Sequence, residues 1–343
     1  MRHRFARSVL VPRSKAAAAV LLACLGPGLA ACGRSRVEEP EGRESPPPPP
    51  TTSATRLAST LSPRLSRSAP DRLVAIGDLH GDLDHARRAL RLAGAIDEHD
   101  QWVGGTMTVV QTGDEIDRGD DDRSVLDRVE DWKRQAAAAG GELVALLGNH
   151  EIMNASLDFR YVTAGGFDAF ASIDAGTGAA GDLPPASRGR AAAFLPGGPY
   201  AALEARRPLV VKVGDTVFVH GGILQKHVAY GLDRMNDEVD AWLAGKRRDP
   251  PSIVVSDDGP VWTRAYSTED GAPACAELSA TLAALGARRM VVGHTVQRGG
   301  ANSACSGAVW RIDVGLSRAF GGPIEVLEIR GGQAHVLREA ASR

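Results

Sequence analysis

The chain has 343 residues, a formal net charge of −2 and a 43% share of hydrophobic residues. That length leaves room for one large domain with a substantial core. A near-neutral balance with no basic face and no aromatic stacking platform excludes nucleic acid as an expected partner.

In chain order, Arg2, His3, Arg4, Arg7, Arg13 and Lys15 come first. They precede an apolar stretch from Ala16 to Leu25 that is too short to span a bilayer and suits a signal-peptide core. Leu29-Ala30-Ala31-Cys32 closes it and resembles a bacterial lipobox. That resemblance implies a signal peptide over residues 1–31, cleavage before Cys32, and lipid on the Cys32 thiol and on the new amine. Gly33 in place of Asp gives no inner-membrane retention signal, so the expected address is the periplasmic face of an outer membrane in a bacterial envelope. The alternative is plain secretion after a cut near Ala31. Residues 32–69 contain the unbroken run Pro46 to Pro50 and few large apolar side chains. Such a segment cannot bury enough surface to offset its ordering entropy and reads as a disordered tether.

The domain is expected over residues 70–343. Apolar runs predict strands at Leu73–Ile76, Thr108–Gln111, Leu143–Leu147, Leu209–Val213, Val217–Val219, Met290–Val292, Val309–Val314 and Ile324–Ile329. Helical periodicity falls on Leu83–Leu92, Ser124–Ala138 and Ala276–Leu285, with Gly140 and Gly286 as stops. Periodicity alone gives an α/β fold. Residues 152–208 form a long insert rich in Ala, Gly and Pro, expected to cap the neighbouring site, or else to be a helical embellishment away from it. Cys275 and Cys305 are the only cysteines left in the mature domain, and an oxidising compartment permits them to pair across a loop that contains Gly293-His294-Thr295. Two buried free thiols are the alternative.

Five motifs carry chemistry: Gly77-Asp78-Leu79-His80-Gly81, Gly113-Asp114-Glu115-Ile116-Asp117-Arg118-Gly119, Gly148-Asn149-His150-Glu151, His220-Gly221-Gly222 and Gly293-His294-Thr295. They supply carboxylates, an amide oxygen and imidazoles without thiolate, a set that suits Mn, Fe or Zn at an open site and argues against a cysteine-built structural zinc. Each alone would be a weak signal, because glycine-rich strings around polar residues mark ordinary turns. Five in order, most after strand-like runs, are not weak.

With these motifs the chain resembles the calcineurin-like metallophosphoesterases, the phosphoprotein phosphatase group within them, and its Shewanella-like branch, from about Leu73 to about Ile329. The resemblance implies a two-sheet α-β-β-α sandwich with a helical insert near the active site. It implies two divalent metal ions, one held by Asp78 and His80, the other by Asn149, His220 and His294, with Asp114 bridging. A metal-bridging hydroxide would then attack phosphorus in line, the ions roughly 3.5–4 Å apart. His150 would protonate the leaving oxygen, and Asp117 would fix its tautomer. Arg118 would grip phosphate as a planar fork. Arg264, in Trp262-Thr263-Arg264, is expected as a second phosphate ligand, and Arg160 as a substrate contact or a brace for the insert. His85, His99, His227 and His335 have no such context and read as surface or capping groups.

The expected activity is therefore a two-metal phosphomonoesterase acting on phosphoprotein or small phosphoesters. A dinucleoside polyphosphate hydrolase on the same metal core is the alternative. A non-catalytic envelope lipoprotein that keeps the fold for binding is a third reading.

Overall fold

The computed structural model describes residues 61–176 and 178–340. The expected signal peptide, Cys32 and the expected tether as far as residue 60 lie outside these residues. The elements begin with β1 (Ser66–Arg67), β2 (Arg72–Ile76), α1 (Leu83–Leu92), β3 (Thr108–Gln111), α2 (Asp122–Ala138) and β4 (Glu142–Ala145). Short helices follow: α3 (Asn149–Ala155), α4 (Ala164–Asp168), α5 (Pro185–Phe194) and α6 (Pro199–Glu204). After β5 (Val210–Val213) and β6 (Thr216–Val219) come α7 (Gln225–Tyr230), α8 (Leu232–Leu243), α9 (Ser252–Val255) and α10 (Ala272–Leu285). The order closes with β7 (Arg289–Val292), β8 (Asn302–Ala304), β9 (Val309–Arg311), β10 (Glu325–Arg330) and β11 (Gln333–Arg338).

The strands form two mixed sheets, ordered β1-β5-β6-β7-β9-β8 and β11-β10-β2-β3-β4. Strand alternation explains how they stack. Val211, Val213, Phe218 and Val291 of the first sheet join one core with β2, β3 and β4. Their neighbours Val210, Val217, Val219, Met290 and Val292 face the other way, into a second core with Met235 and Trp242 of α8 and Leu278 and Leu282 of α10. On the far side of the second sheet, Ala86, Ala89 and Leu90 of α1 and Val125, Val129 and Trp132 of α2 complete the first core. The result is the expected α-β-β-α sandwich. Helix α1 starts where the Asp82 side chain accepts the His85 amide N–H at 3.1 Å, and α10 ends at Gly286 in the left-handed region (φ 56°).

The domain starts earlier than residue 70. Ser66 and Arg67 pair in parallel with Lys212 and Val213, Leu65 is fully buried, and the Ser62 amide donates to Asp233. Ser66–Arg67 therefore form edge strand β1, and the buried leucine with these two ladder positions anchors the preceding segment to the sheet. The run from Val309 also leaves the sheet sooner than expected, at Arg311. Cys275, in the first turns of α10, and Cys305, after edge strand β8, form a disulfide with their Cα atoms 5.3 Å apart. Among the described residues no helix is long and apolar enough to cross a membrane.

Candidate active site

Parallel strands β2, β3 and β4 of one sheet, and β6, β7 and β9 of the other, all run the same way within their sheets. Their carboxyl ends deliver Asp78, Asp114, Asn149, His220, His294 and Asp313 in turn. The loops then interlock through their backbones. Leu79 and His80 both donate to the Asp114 carbonyl at 2.9 and 3.0 Å, Gly81 donates to Glu115, and Gly293 donates to the His220 carbonyl at 2.8 Å. Non-glycine residues at positive φ concentrate here: His80, Asp114, Asp117, Arg118 and His294 at 47°, 57°, 71°, 71° and 67°. Each such turn costs on the order of 1–2 kcal/mol, which the interlocked loops offset. Gly148 cannot be replaced cheaply, since a Cβ there would lie 2.2 Å from the Asp114 Oδ1.

Each histidine of the expected ligand set has one ring nitrogen on a backbone carbonyl. His80 Nδ1 bonds Ile116 at 3.2 Å, His220 Nδ1 bonds Thr112 at 2.9 Å and His294 Nε2 bonds Trp262 at 3.0 Å. Those bonds set the tautomers and leave the other nitrogens as lone pairs. His220 Nε2 then lies 2.9 Å from Asn149 Oδ1, 3.2 Å from His294 Nδ1 and 3.3 Å from Asp114 Oδ2. Acceptors converge there with no donor between them, an arrangement that requires a positive charge at the focus. His80 Nε2 lies 3.9 Å from the same Asp114 Oδ2 and 4.0 Å from Asp78 Oδ2. Two groups, His80 with Asp114 and His150, and Asp114 with His220 and His294, bring their ligand atoms close enough to share an ion. The donor set fits two divalent cations.

Electrostatics agree. Burial and then the neighbouring Asp313 and Asp114 push Asp78 well above the usual carboxylate range. Burial raises Asp114 too, but the imidazoles of His220 and His150 outweigh it and hold Asp114 well below that range. Burial lowers His80 to about 4, and burial with the His220 charge lowers His294 to about 3, so both are neutral and able to ligate. Burial opposes a charge on His220, but Asp114 outweighs it and raises its pKa above the ordinary imidazole value.

Beside this focus, His150 Nδ1 donates to Asp117 Oδ2 at 2.6 Å, and His150 Nε2 is 3.8 Å from Asp114 Oδ2. Burial lowers the His150 pKa, but Asp114 and the bond to Asp117 lift it to about 9. A cleft of about 290 Å³ opens onto these groups, and Arg118 and Arg264 line it. The Arg118 guanidinium lies over the Tyr161 ring, 3.8 Å from its centroid, with Phe320 farther off at 5.6 Å. Arg160 does not line this cleft. It is exposed and bonded to Asp158 at 2.8 Å, while its neighbour Tyr161 forms the wall.

Several functional groups were not read from the sequence. Glu151 accepts the amides of Asp114, Glu115 and Gly148 at 3.0, 2.9 and 2.7 Å and so ties the Asp114 and Asn149 loops together. Asp313 lines the cleft, and its strand-Asp-x-Gly context in Ile312-Asp313-Val314-Gly315 was the signal available. Tyr161, Asn154, Asp122 and Arg190 carried no local signal, since Tyr161 and Arg190 meet their partners only where the insert folds back, and the short-range bonds of Asp122 and Asn154 follow no motif.

Residues 71–298 match the family of calcineurin-like phosphoesterases. Shewanella-like protein phosphatase 2 of Arabidopsis thaliana is 40% identical over 295 residues, covering 76% of this chain and 75% of that protein. Shewanella-like protein phosphatase 1 of Plasmodium berghei is 28% identical, covering 72% of this chain and 67% of its own length. The crystal structure of a cold-active protein-tyrosine phosphatase from a psychrophilic Shewanella species shares the fold, with a TM-score of 0.64 at 24% identity over 80% of this chain and 82% of that one.

Proposed function

We propose that this chain, a metal-dependent phosphoesterase that belongs to the calcineurin-like phosphoesterases and within them to the Shewanella-like protein phosphatases, hydrolyses phosphomonoesters on protein or small molecules with His150 as general acid. The observation that carries this is the convergence of acceptors around Asp114 Oδ2 with the His150–Asp117 pair beside it. In this reading Asp78 and His80 hold one ion, Asn149, His220 and His294 hold the other, and Asp114 serves both. Bound there, divalent Mn, Fe or Zn supplies Lewis acidity to the phosphoryl group and to the attacking water.

The chain's own residues do the rest. Arg118 and Arg264 bind the phosphoryl oxygens from the cleft wall, where a planar guanidinium can offer paired donors. Stacking on Tyr161 holds the Arg118 fork in one plane. Because His150 Nδ1–H is committed to Asp117, the transferable proton is the one on Nε2. The cleft wall includes Tyr161 of the 152–208 insert, which supports a part for that insert in substrate choice.

The test uses purified protein stripped by chelator and titrated with Mn²⁺, beside Asp114→Asn, on p-nitrophenyl phosphate and diadenosine tetraphosphate. Mn²⁺-restored hydrolysis of the monoester that Asp114→Asn lacks is the expected result. Preference for the tetraphosphate would replace this reading with the polyphosphate hydrolase, and a folded, metal-loaded protein inert to both would leave a binding protein.

The address is part of the proposal. Lipid on Cys32 would hold the domain at the bacterial envelope, on the periplasmic face of the outer membrane, with the proline-rich segment as spacer. The Cys275–Cys305 disulfide is consistent with an oxidising compartment.

A further inference from the structure

We propose that Arg190, contributed by the insert helix α5, is a positioning residue for proton transfer: it clamps Asp117 so that the His150 ring is presented to the departing oxygen. This rests on the reading of His150 as general acid.

The Arg190 guanidinium is completely buried. Its Nη2 donates to Asp117 Oδ1 at 2.7 Å, Nη1 donates to Asp122 Oδ2 at 2.6 Å and to the Gly166 carbonyl at 2.8 Å, and Nε donates to Asn154 Oδ1 at 2.7 Å. Phe170 and Phe194 close around it, their ring centroids 5.3 and 5.2 Å from the guanidinium carbon. Burying a guanidinium is expensive unless nearly every donor is met by an acceptor, and here the acceptors include two carboxylates.

The geometry is directed at one partner. Asp117 uses Oδ2 for His150 and Oδ1 for Arg190 and for Asn154, whose amide donates to it at 3.0 Å. Its backbone N–H donates to Asp122 Oδ1 at 2.9 Å, and the other oxygen of Asp122 returns to Arg190. The ring Asp117–Arg190–Asp122 is thereby closed, and the Asp117 carboxylate cannot turn without breaking a charge-assisted bond. His150 inherits that fixity through a single 2.6 Å bond. A lysine could not span the same acceptors, having one nitrogen where the fork has three. The alternative is an ion pair that merely fastens the insert, and it makes a different kinetic prediction.

The test compares kcat across phosphate esters from 2,4-dinitrophenyl to simple alkyl leaving groups, in the Mn²⁺-loaded full chain. Misplacing the acid penalises poor leaving groups, so Arg190→Met should lose at least tenfold more on the alkyl ester than on the dinitrophenyl ester, with KM little changed. Arg190→Lys should show the same skew. Should Arg190→Met fail to fold, Arg190→Met/Asp122→Asn removes one buried charge of each sign and carries the same expectation. In metal-free protein, the far-downfield proton NMR resonance of the His150 Nδ1–H should move upfield in these variants. A loss equal across the series, or full recovery in Arg190→Lys, would overturn the clamp. His150→Ala separates the two failures: a leaving-group-selective loss there with a uniform loss in Arg190→Met sinks the clamp alone, whereas a uniform loss in His150→Ala sinks the acid assignment itself.

Discussion

Removing the Cys275–Cys305 bridge by Cys275→Ala/Cys305→Ala tests what fastens the edge of the first sheet. The two positions are 30 residues apart, and the loop between them contains most of α10, all of β7 and β8, and His294. Opening a loop of that size in the unfolded chain costs the folded state about 3.5 kcal/mol by loop-closure entropy. The lost packing is smaller, since both cysteines are only partly buried and one sulfur contributes less than about 1 kcal/mol. At about 2–3 °C per kcal/mol for a domain of this size, the expected fall in Tm is roughly 7–10 °C. Thermal denaturation should be run on the oxidised protein, on the same protein unfolded, reduced and refolded in reductant, and on the double variant. Reduced protein and variant should coincide, well below the oxidised form. Hydrolysis at 25 °C should stay within twofold, because His294 is fixed by the Trp262 carbonyl and by Asp78 rather than by the bridge. If the oxidised and reduced forms melt within about 2 °C of each other, less than roughly 1 kcal/mol comes from the cross-link and the entropic argument is wrong for this fold.

Two further expectations concern His150 and Cys32. In metal-stripped protein the His150 pKa is raised from 6.5 to about 9 despite burial, because Asp114 and Asp117 favour the charged ring. Its contribution to stability is therefore full below pH 6.5 and lost as pH rises through about 9. The Tm difference between the stripped wild type and stripped His150→Ala should shrink across that window, and a constant difference would contradict the assigned environment. Cys32→Ala should move the protein from the membrane to the soluble fraction; persistent membrane association after detergent-free washing would reject the lipid anchor.

How much of this could be read from residues alone depended on how locally each feature is encoded. The carboxyl ends of the parallel strands were legible because a carboxylate or imidazole beside a glycine after an apolar run declares both its chemistry and its turn, as at Asp78, Asp114 and His294. Asp313 follows an apolar run as well, but its glycine, Gly315, lies two positions on, a spacing that ordinary turns also show. Strand β11 was missed because its residues alternate between exposed and half-buried, although Gly331-Gly332 is a hairpin signal. Arg160 and Tyr161 are the two central residues of a turn closed by the Val162 amide on the Phe159 carbonyl, and only the path of the chain decides which of them meets the cleft. Arg190 lies on a helix of alanines and arginines with no distinguishing pattern. Its role is set by a return of the insert onto Asp117 across 73 positions, which periodicity cannot encode.

The mutual hydrogen bonding of the ligand loops bears on how the protein acquires its ions. Asp114 accepts from the first motif with its carbonyl, gives its amide to Glu151 and receives the His150 amide on its side chain, all within the folded chain. The ordering entropy of the centre is thus spent at folding, and an arriving ion needs to displace only protons and water. An open site pre-formed in this way would take up and release an ion without unfolding. Because carboxylate, amide and imidazole donors accept several divalent ions, the ion bound would then depend on the composition of the surroundings as well as on the chain.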